Sequence, residues 1–302
     1  MTLEQLRIFA AVAECEHVTR AAEALRLTQS AVSSAIAALE ERYGVALFDR
    51  VGRRIELNEA GRLFLGEARA VLARAAAAEL ALSELSGLTR GTLSVHASQT
   101  IASYWLSPRL VAFRAAYPQI EVKLAVGNTA QTAKAVIDGT AELGFVEGRV
   151  EDPSLQQSTI DQDRRTLVVG AKHPWAHKKR LTERDLVEGN WVLREPGSGT
   201  RSEFEAALGS SGVSPGALKI TLELPTNEAV RAAVEAGAGV TAISELVVKA
   251  ALRAGTLVAL AFPLPARPFR VLYHRDRYQS KAGQAFLKII TEFAEPMAAR
   301  PA

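Results

Sequence analysis

Apolar residues recur at helical spacing over residues 3–14, where Leu3, Leu6, Ile8, Phe9, Val12 and Ala13 line one face. Thr2 with Gln5 three positions on predicts a capping box at the start of that helix. Residues 18–25 repeat the pattern with Ala21, Ala22 and Leu25, and after Arg26 and Leu27 the chain reaches Thr28, a good N-cap for a third helix over 29–43. In that helix Val32, Ile36 and Leu39 form the buried stripe, while Gln29, Ser30, Ser33 and Ser34 lie on another face near its start. Gly44 ends it. Two short strands are expected at 46–48 and 54–57, around a turn at 49–53. Asn58 then caps a helix predicted to run to about residue 87, roughly 45 Å at 1.5 Å per residue. Along it Phe64, Ala68, Val71, Ala75, Ala78, Leu82 and Leu85 alternate spacings of four and three, the seam of a coiled coil.

Residues 87–91 read as a hinge, after which the period changes. Strands are expected at 92–97, 121–126, 143–146, 166–169, 190–193, 219–222, 240–243 and 269–274, with helices at 106–116, 129–138, 201–208, 228–236, 245–254 and 281–293. Strand alternating with helix predicts an α/β fold on a mostly parallel sheet, and two similar runs predict two lobes with a crevice between them. The divisions are 1–57, 58–88, a first lobe of 91–163 plus 268–302, and a second lobe of 164–267. In such folds ligands sit at the carboxyl ends of strands, where helix N-termini present free amides. Four loops qualify, carrying Ser98, Gln99 and Thr100; Asn128 and Thr129; Ser198, Thr200 and Arg201; and Asn227. Taken singly, each Ser, Thr or Asn reads as a helix cap; four at one sheet edge point to a ligand. Amide and hydroxyl donors with one arginine suit a small anion, to which Arg201 could make a two-pronged contact.

A helix, a tight turn and a second helix with an outward polar face is the helix-turn-helix arrangement, whose second helix enters the major groove of DNA. The hairpin after it makes a wing, with Arg50, Arg53 and Arg54 placed to meet phosphates or a narrow minor groove. A small helical bundle with a surface hairpin is the plainer alternative. Residues 1–57 hold seven Arg, no Lys and eight Asp or Glu, so any electrostatic footprint is local. The whole chain, 302 residues with net charge +3 and 48% hydrophobic residues, is long enough for two or three cores and demands no polyanionic partner. Its one cysteine, Cys15, cannot form an intrachain disulfide and reads as a core thiol in a reducing compartment. Without a long apolar run, neither a signal peptide nor a membrane span is expected, and the location expected is cytoplasmic. Enzymatic signatures are missing: no P-loop lysine, no Gly-x-Ser-x-Gly elbow and no His-Glu-x-x-His helix. His173 and His177 are separated by Pro174 and followed by Lys178, Lys179 and Arg180, which would repel a cation. No metal, cofactor or catalytic residue is expected.

Three runs of residues resemble the LysR-type transcriptional regulators: Leu3-Glu4-Gln5-Leu6-Arg7-Ile8-Phe9; Ala21-Ala22-Glu23-Ala24-Leu25 with Thr28-Gln29-Ser30-Ala31-Val32-Ser33; and Leu39-Glu40 through Gly44-Val45-Ala46-Leu47-Phe48-Asp49-Arg50, continuing into Leu57-Asn58-Glu59-Ala60-Gly61. The resemblance implies an N-terminal winged helix-turn-helix, a long linker helix, and a two-lobed effector domain resembling a periplasmic binding protein. It implies antiparallel pairing of linker helices in a homodimer, assembly to a homotetramer, binding of double-stranded promoter DNA, RNA polymerase as a further partner, and a small effector that changes oligomer geometry. The loop Gly197-Ser198-Gly199-Thr200-Arg201 resembles that of family members sensing sulfite or another oxyanion; a carboxylate metabolite fits the same donors. One departure concerns the middle of the recognition helix, where the family often carries a basic residue and this chain has Ser34, Ala35 and Ala37. That shifts weight onto Gln29, Ser30, Ser33 and the wing arginines. The alternative, a cytoplasmic solute-binding or sensor protein without direct DNA regulation, leaves the first 57 residues without a role.

Overall fold

The computed structural model describes residues 1–51, 54–85, 91–210 and 212–293. Arg53 at the wing tip, the hinge at 87–90 and the side chain of Leu85 fall outside the described residues. The chain forms two compact units, one of Met1–Leu88 with Ile137–Thr140 and Asp276–Tyr278, the other of the remainder.

The first unit opens with α1 (Leu3–Cys15), whose capping box is complete: Thr2 Oγ1 accepts from the Gln5 N–H and Gln5 Oε1 accepts from the Thr2 N–H. α2 (Val18–Leu25) starts from His17, whose ring nitrogen accepts from the Arg20 N–H, and ends at Arg26 in the left-handed region (φ 56°). That turn passes straight to Thr28, which caps α3 (Gln29–Tyr43) by accepting from the Ala31 N–H. Gly44 closes α3 at φ 65°, where a Cβ would be strained. Ile8, Val12, Ala21, Ala22 and Val32 make one core between the three helices. The first strand of the hairpin lies later than expected, starting at Phe48 and leaving Ala46 and Leu47 outside it. β1 (Phe48–Val51) pairs antiparallel with β2 (Arg54–Leu57), Phe48 opposite Leu57 and Arg50 opposite Ile55, so Arg50 lies within a strand and not in the turn.

α4 (Glu59–Leu85) begins where Asn58 Oδ1 accepts from the Gly61 N–H. Gly61 lies so close to Leu47 that a Cβ there would sit 2.1 Å from its carbonyl oxygen, which fixes this helix start against the winged domain. The expected seam divides. Phe64 and Ala68 pack into a core with Leu6, Phe9, Leu39 and Leu47, whereas Val71 and Leu82 are exposed, as is Leu63 beside the seam.

The second unit holds two five-stranded sheets. One contains β3 (Gly91–Ser98), β4 (Ile120–Gly127), β5 (Leu143–Val146) and β6 (Leu155–Asp163), with α5 (Ser107–Ala116) and α6 (Thr129–Asp138) between strands. The other contains β7 (Arg165–Gly170), β8 (Asn190–Arg194), β9 (Lys219–Leu224), β10 (Val240–Ser244) and β11 (Leu257–Leu260), with α7 (Glu183–Glu188), α8 (Gly199–Ser210), α9 (Asn227–Glu235) and α10 (Glu245–Ala254). β12 (Arg267–His274) returns to the first sheet, and α11 (Lys281–Phe293) packs Phe286 and Ile290 onto its core. The strand orders are β4-β3-β5-β12-β6 and β11-β7-β10-β8-β9.

The sheets are mixed, which corrects the expectation of mostly parallel pairing. β3 pairs parallel with β4 and β5, and β8 with β9 and β10, but β12 runs antiparallel to β5 and β6, and β7 antiparallel to β10 and β11. Two of these four antiparallel pairings involve strands absent from the sequence reading, β6 and β11; the other two, β12 with β5 and β7 with β10, join strands that were expected, in the opposite sense. β6, Leu-Gln-Gln-Ser-Thr-Ile-Asp-Gln-Asp, is a polar edge strand without an apolar run, and β11 has four residues. The first helix of this unit also starts early. Ser98 ends β3 and the chain turns at once into a π-helical stretch, Ile101–Leu106, that continues into α5.

Candidate functional site

On the first unit, Gln29, Ser30, Ser33 and Ser34 are all solvent-exposed on the opening turns of α3, opposite the buried Val32 and Leu39. The Thr28 hydroxyl, besides capping the helix, lies 3.1 Å from Ser30 Oγ and fixes the start of that polar face. Arg50 and Arg54 are exposed on the paired wing strands, with no described carboxylate within ion-pair distance. Short hydroxyls and an amide on an accessible helix, with guanidinium groups on an adjacent hairpin, form a surface that can bond base edges and phosphates together.

On the second unit, the four loops singled out in the sequence meet. Gln99 Nε2 donates to the Pro225 carbonyl (3.2 Å) and Gln99 Oε1 accepts from the Asn227 N–H (2.9 Å). Asn227 Nδ2 donates to Thr100 Oγ1 (3.0 Å), so the end of β3 is joined to the start of α9. The Ala130 N–H donates to the Gly197 carbonyl, joining the start of α6 to the loop before α8. Gly148 and Gly199 touch across this junction: a Cβ on Gly199 would lie 2.6 Å from the Gly148 nitrogen and from Thr129 Oγ1. Ser98, Thr100, Thr129, Ser198, Thr200 and Asn227 are buried there. Two of them, Ser98 and Thr129, have hydroxyls with no hydrogen-bond partner among the described residues, an arrangement that costs free energy unless a ligand or water completes it.

Arg201 donates to Glu205 (2.8 Å), Glu223 (2.6 Å) and the Arg194 carbonyl (3.1 Å), and these carboxylates push its pKa up against the opposing effect of burial. It braces α8 and β9 through Nε and Nη1, the edge of the guanidinium that lies toward Glu205, Glu223 and the Arg194 carbonyl. A second guanidinium at this junction is that of Arg194, 4% exposed at the end of β8. Its Nη1 donates to Asn227 Oδ1 (2.7 Å), and its Nε and Nη2 donate to the two oxygens of Glu195 (2.7 and 2.9 Å). Glu195 Oε1 also accepts from Asn128 Nδ2 (3.1 Å). The sequence held one signal for Arg194, a charge at the end of the buried run Trp191-Val192-Leu193, one residue ahead of Pro196-Gly197.

Behind the crevice, where β6 passes to β7 and β11 to β12, Arg267 is completely buried. Its Nε donates to Asp163 Oδ2 (2.8 Å) and its Nη1 to Thr200 Oγ1 (3.2 Å), while Ser244 Oγ donates to Asp163 Oδ1 (2.6 Å). Burial pushes the Asp163 carboxyl up, a tendency that Arg267 and Ser244 oppose. Thr200 is thereby anchored to the crossover between the two sheets.

Two family models match the chain: the bacterial regulatory helix-turn-helix protein of the lysR family over residues 3–62, and the LysR substrate binding domain over 86–295. The HTH-type transcriptional regulator YeiE of Escherichia coli (strain K12) is 36% identical over 289 residues, 95% of this chain and 96% of the relative. The structure of full-length CbnR complexed with its target DNA superposes with a TM-score of 0.67 at 24% identity, covering 97% of this chain and 99% of CbnR, a likeness of fold. The regulatory domain of Synechocystis PCC6803 CcmR in complex with 2-PG has a TM-score of 0.62 at 25% identity, covering 69% of this chain and 99% of that domain. With both models matched in this order and a relative aligned along nearly its whole length, the chain belongs to the LysR-type family of non-enzymatic, DNA-binding transcriptional regulators.

Proposed function

We propose that this regulator senses a small anion held at the carboxyl ends of β3, β4, β8 and β9. The observation that carries this reading is the pair of buried hydroxyls, Ser98 and Thr129, without a hydrogen-bond partner among the described residues and at the same junction as the buried guanidinium of Arg194. Hydroxyl donors, the N-termini of α6 and α8 and one cation all favour negative charge. Sulfite or another oxyanion, or a carboxylate metabolite, fits these donors, and the 2-PG bound by CcmR is an anion of this kind. Gln99, Thr100, Asn128, Ser198, Thr200 and Asn227 complete the wall of the site, while Arg201 holds its frame. The effector acts by favouring one assembly state over another, which changes how paired DNA-binding units meet the promoter and RNA polymerase. The linker helices pair in a dimer, two dimers make a tetramer, and the protein works in the cytoplasm.

Thermal melting of the full chain with sulfite, sulfate, inorganic phosphate, 2-phosphoglycolate and glycolate tests the reading. At least one of these raises the melting temperature of the native protein, and Arg194→Ala or Ser98→Ala with Thr129→Val removes the shift. A shift that persists in both variants rejects the site.

On the DNA side, Gln29, Ser30, Ser33 and Ser34 read base edges and Arg50, Arg53 and Arg54 hold phosphates. A promoter fragment retarded equally by native protein and by a variant with alanine at 29, 30, 33 and 34 would contradict that assignment.

A further inference from the structure

We infer that Glu195 is a tethered stand-in for the effector, its carboxylate holding the seat on Arg194 and Asn128 that an incoming anion must take. The inference rests on the proposed reading of the crevice and adds how that site is kept closed and what it selects.

Consecutive side chains on a strand point to opposite faces, so two neighbours cannot pair through their ends in a regular strand. Glu195 lies just beyond β8, where the Ser198 N–H donates to its carbonyl and turns the chain, and its side chain folds back onto Arg194. There it takes the Nε and Nη2 edge of the guanidinium at 2.7 and 2.9 Å, the two-nitrogen face that recognises a planar carboxylate or an edge of a larger oxyanion. The third side of Arg194 is committed to Asn227. Asn128, from the start of α6 in the other lobe, donates to the same carboxylate, so Glu195 also bridges the two sheets of the unit.

The two members of the pair differ in freedom. The Arg194 side chain is 4% exposed and locked, whereas that of Glu195 is 23% exposed. A competing anion therefore displaces the carboxylate and not the guanidinium. The site already contains what a ligand must supply, one pair of anionic oxygens, while the hydroxyls of Ser98 and Thr129 are left for the remainder of a larger ligand. Because the displaced carboxylate stays tethered one residue away, it continues to repel the ligand, and a dianion more than a monoanion.

Calorimetry of the full-length protein with 2-phosphoglycolate, inorganic phosphate, sulfite and glycolate tests this. Glu195→Gln keeps the shape and removes the charge; Glu195→Ala empties the seat. Both are expected to bind the responsive probe about tenfold or more tightly than the native protein, with a larger gain for dianions. Arg194→Ala is expected to abolish binding in either background. If the native protein binds a probe through Arg194 and neither Glu195 variant binds it more tightly, the stand-in role is overturned while the crevice reading survives. If no probe binds native protein or variants that melt normally, both fall together.

Discussion

Gly199 has no room for a side chain, because the Gly148 nitrogen and Thr129 Oγ1 both lie where its Cβ would go. Gly199→Ala must move backbone, not a flexible side chain, and is expected to cost about 1–3 kcal/mol in urea unfolding and to abolish any anion-induced rise in melting temperature. His96 gives a second residue-scale outcome. Its ring is half-buried against Thr132 Oγ1 (2.9 Å), and burial holds its pKa below the usual imidazole value. The unfolded chain then takes up the proton first, so the contribution of His96 to stability is complete above about pH 6.5 and is lost as pH falls below that value. Melting temperature is expected to drop between pH 7.5 and pH 5.5, and His96→Gln to flatten that slope, leaving the share due to His173, which burial depresses similarly. At this scale the sequence was only partly legible. Hydroxyls and amides before helices announce themselves by position, and Ser98, Thr129 and Asn227 are found that way. Charges do not, since their partners are distant in sequence: nothing near Arg201 announces Glu223, and Arg267 carries no local sign of Asp163, 104 positions earlier.

Helix α3 depends on one side chain for its start. Thr28 accepts from the Ala31 N–H and lies against Ser30, so Thr28→Ala is expected to destabilise the opening turn by about 1 kcal/mol. Hydrogen exchange in the full chain should show faster exchange confined to the first amides of α3, with weaker promoter binding. On the wing, Arg50→Ala and Arg54→Ala are each expected to lower the salt dependence of DNA affinity by roughly one unit of slope, equally on all sequences. Ser33→Ala is expected instead to change which bases are preferred, measured by selection from a random site library. Elements with both a period and a cap were readable in advance, as Thr2 with Gln5, Thr28 and Asn58 show. The π-helical stretch was not: the helix expected at 106–116 is preceded by Ile101–Leu106, which leads directly into α5. β6 was missed because a polar edge strand has no apolar alternation to reveal it.

For the whole molecule, the exposed side of α4 matters most. Leu63, Val71 and Leu82 are 76%, 43% and 69% exposed, while Phe64 and Ala68 are already used by the winged domain. A second copy of this helix would cover the exposed set. Leu82→Glu is therefore expected to reduce the mass seen by sedimentation and to weaken binding to a two-half-site promoter without lowering affinity for a single half-site. The place of β12 carries a different consequence. It fills the slot between β5 and β6, although more than a hundred residues separate it from either in the chain. On the ribosome the second sheet has all five strands once Leu260 has emerged, whereas the first waits with two unsatisfied strand edges for the last part of the message to be translated. Released chains truncated near residue 262 should thus protect the later-made lobe from protease and leave the earlier-made one open, reversing the usual order of synthesis and folding.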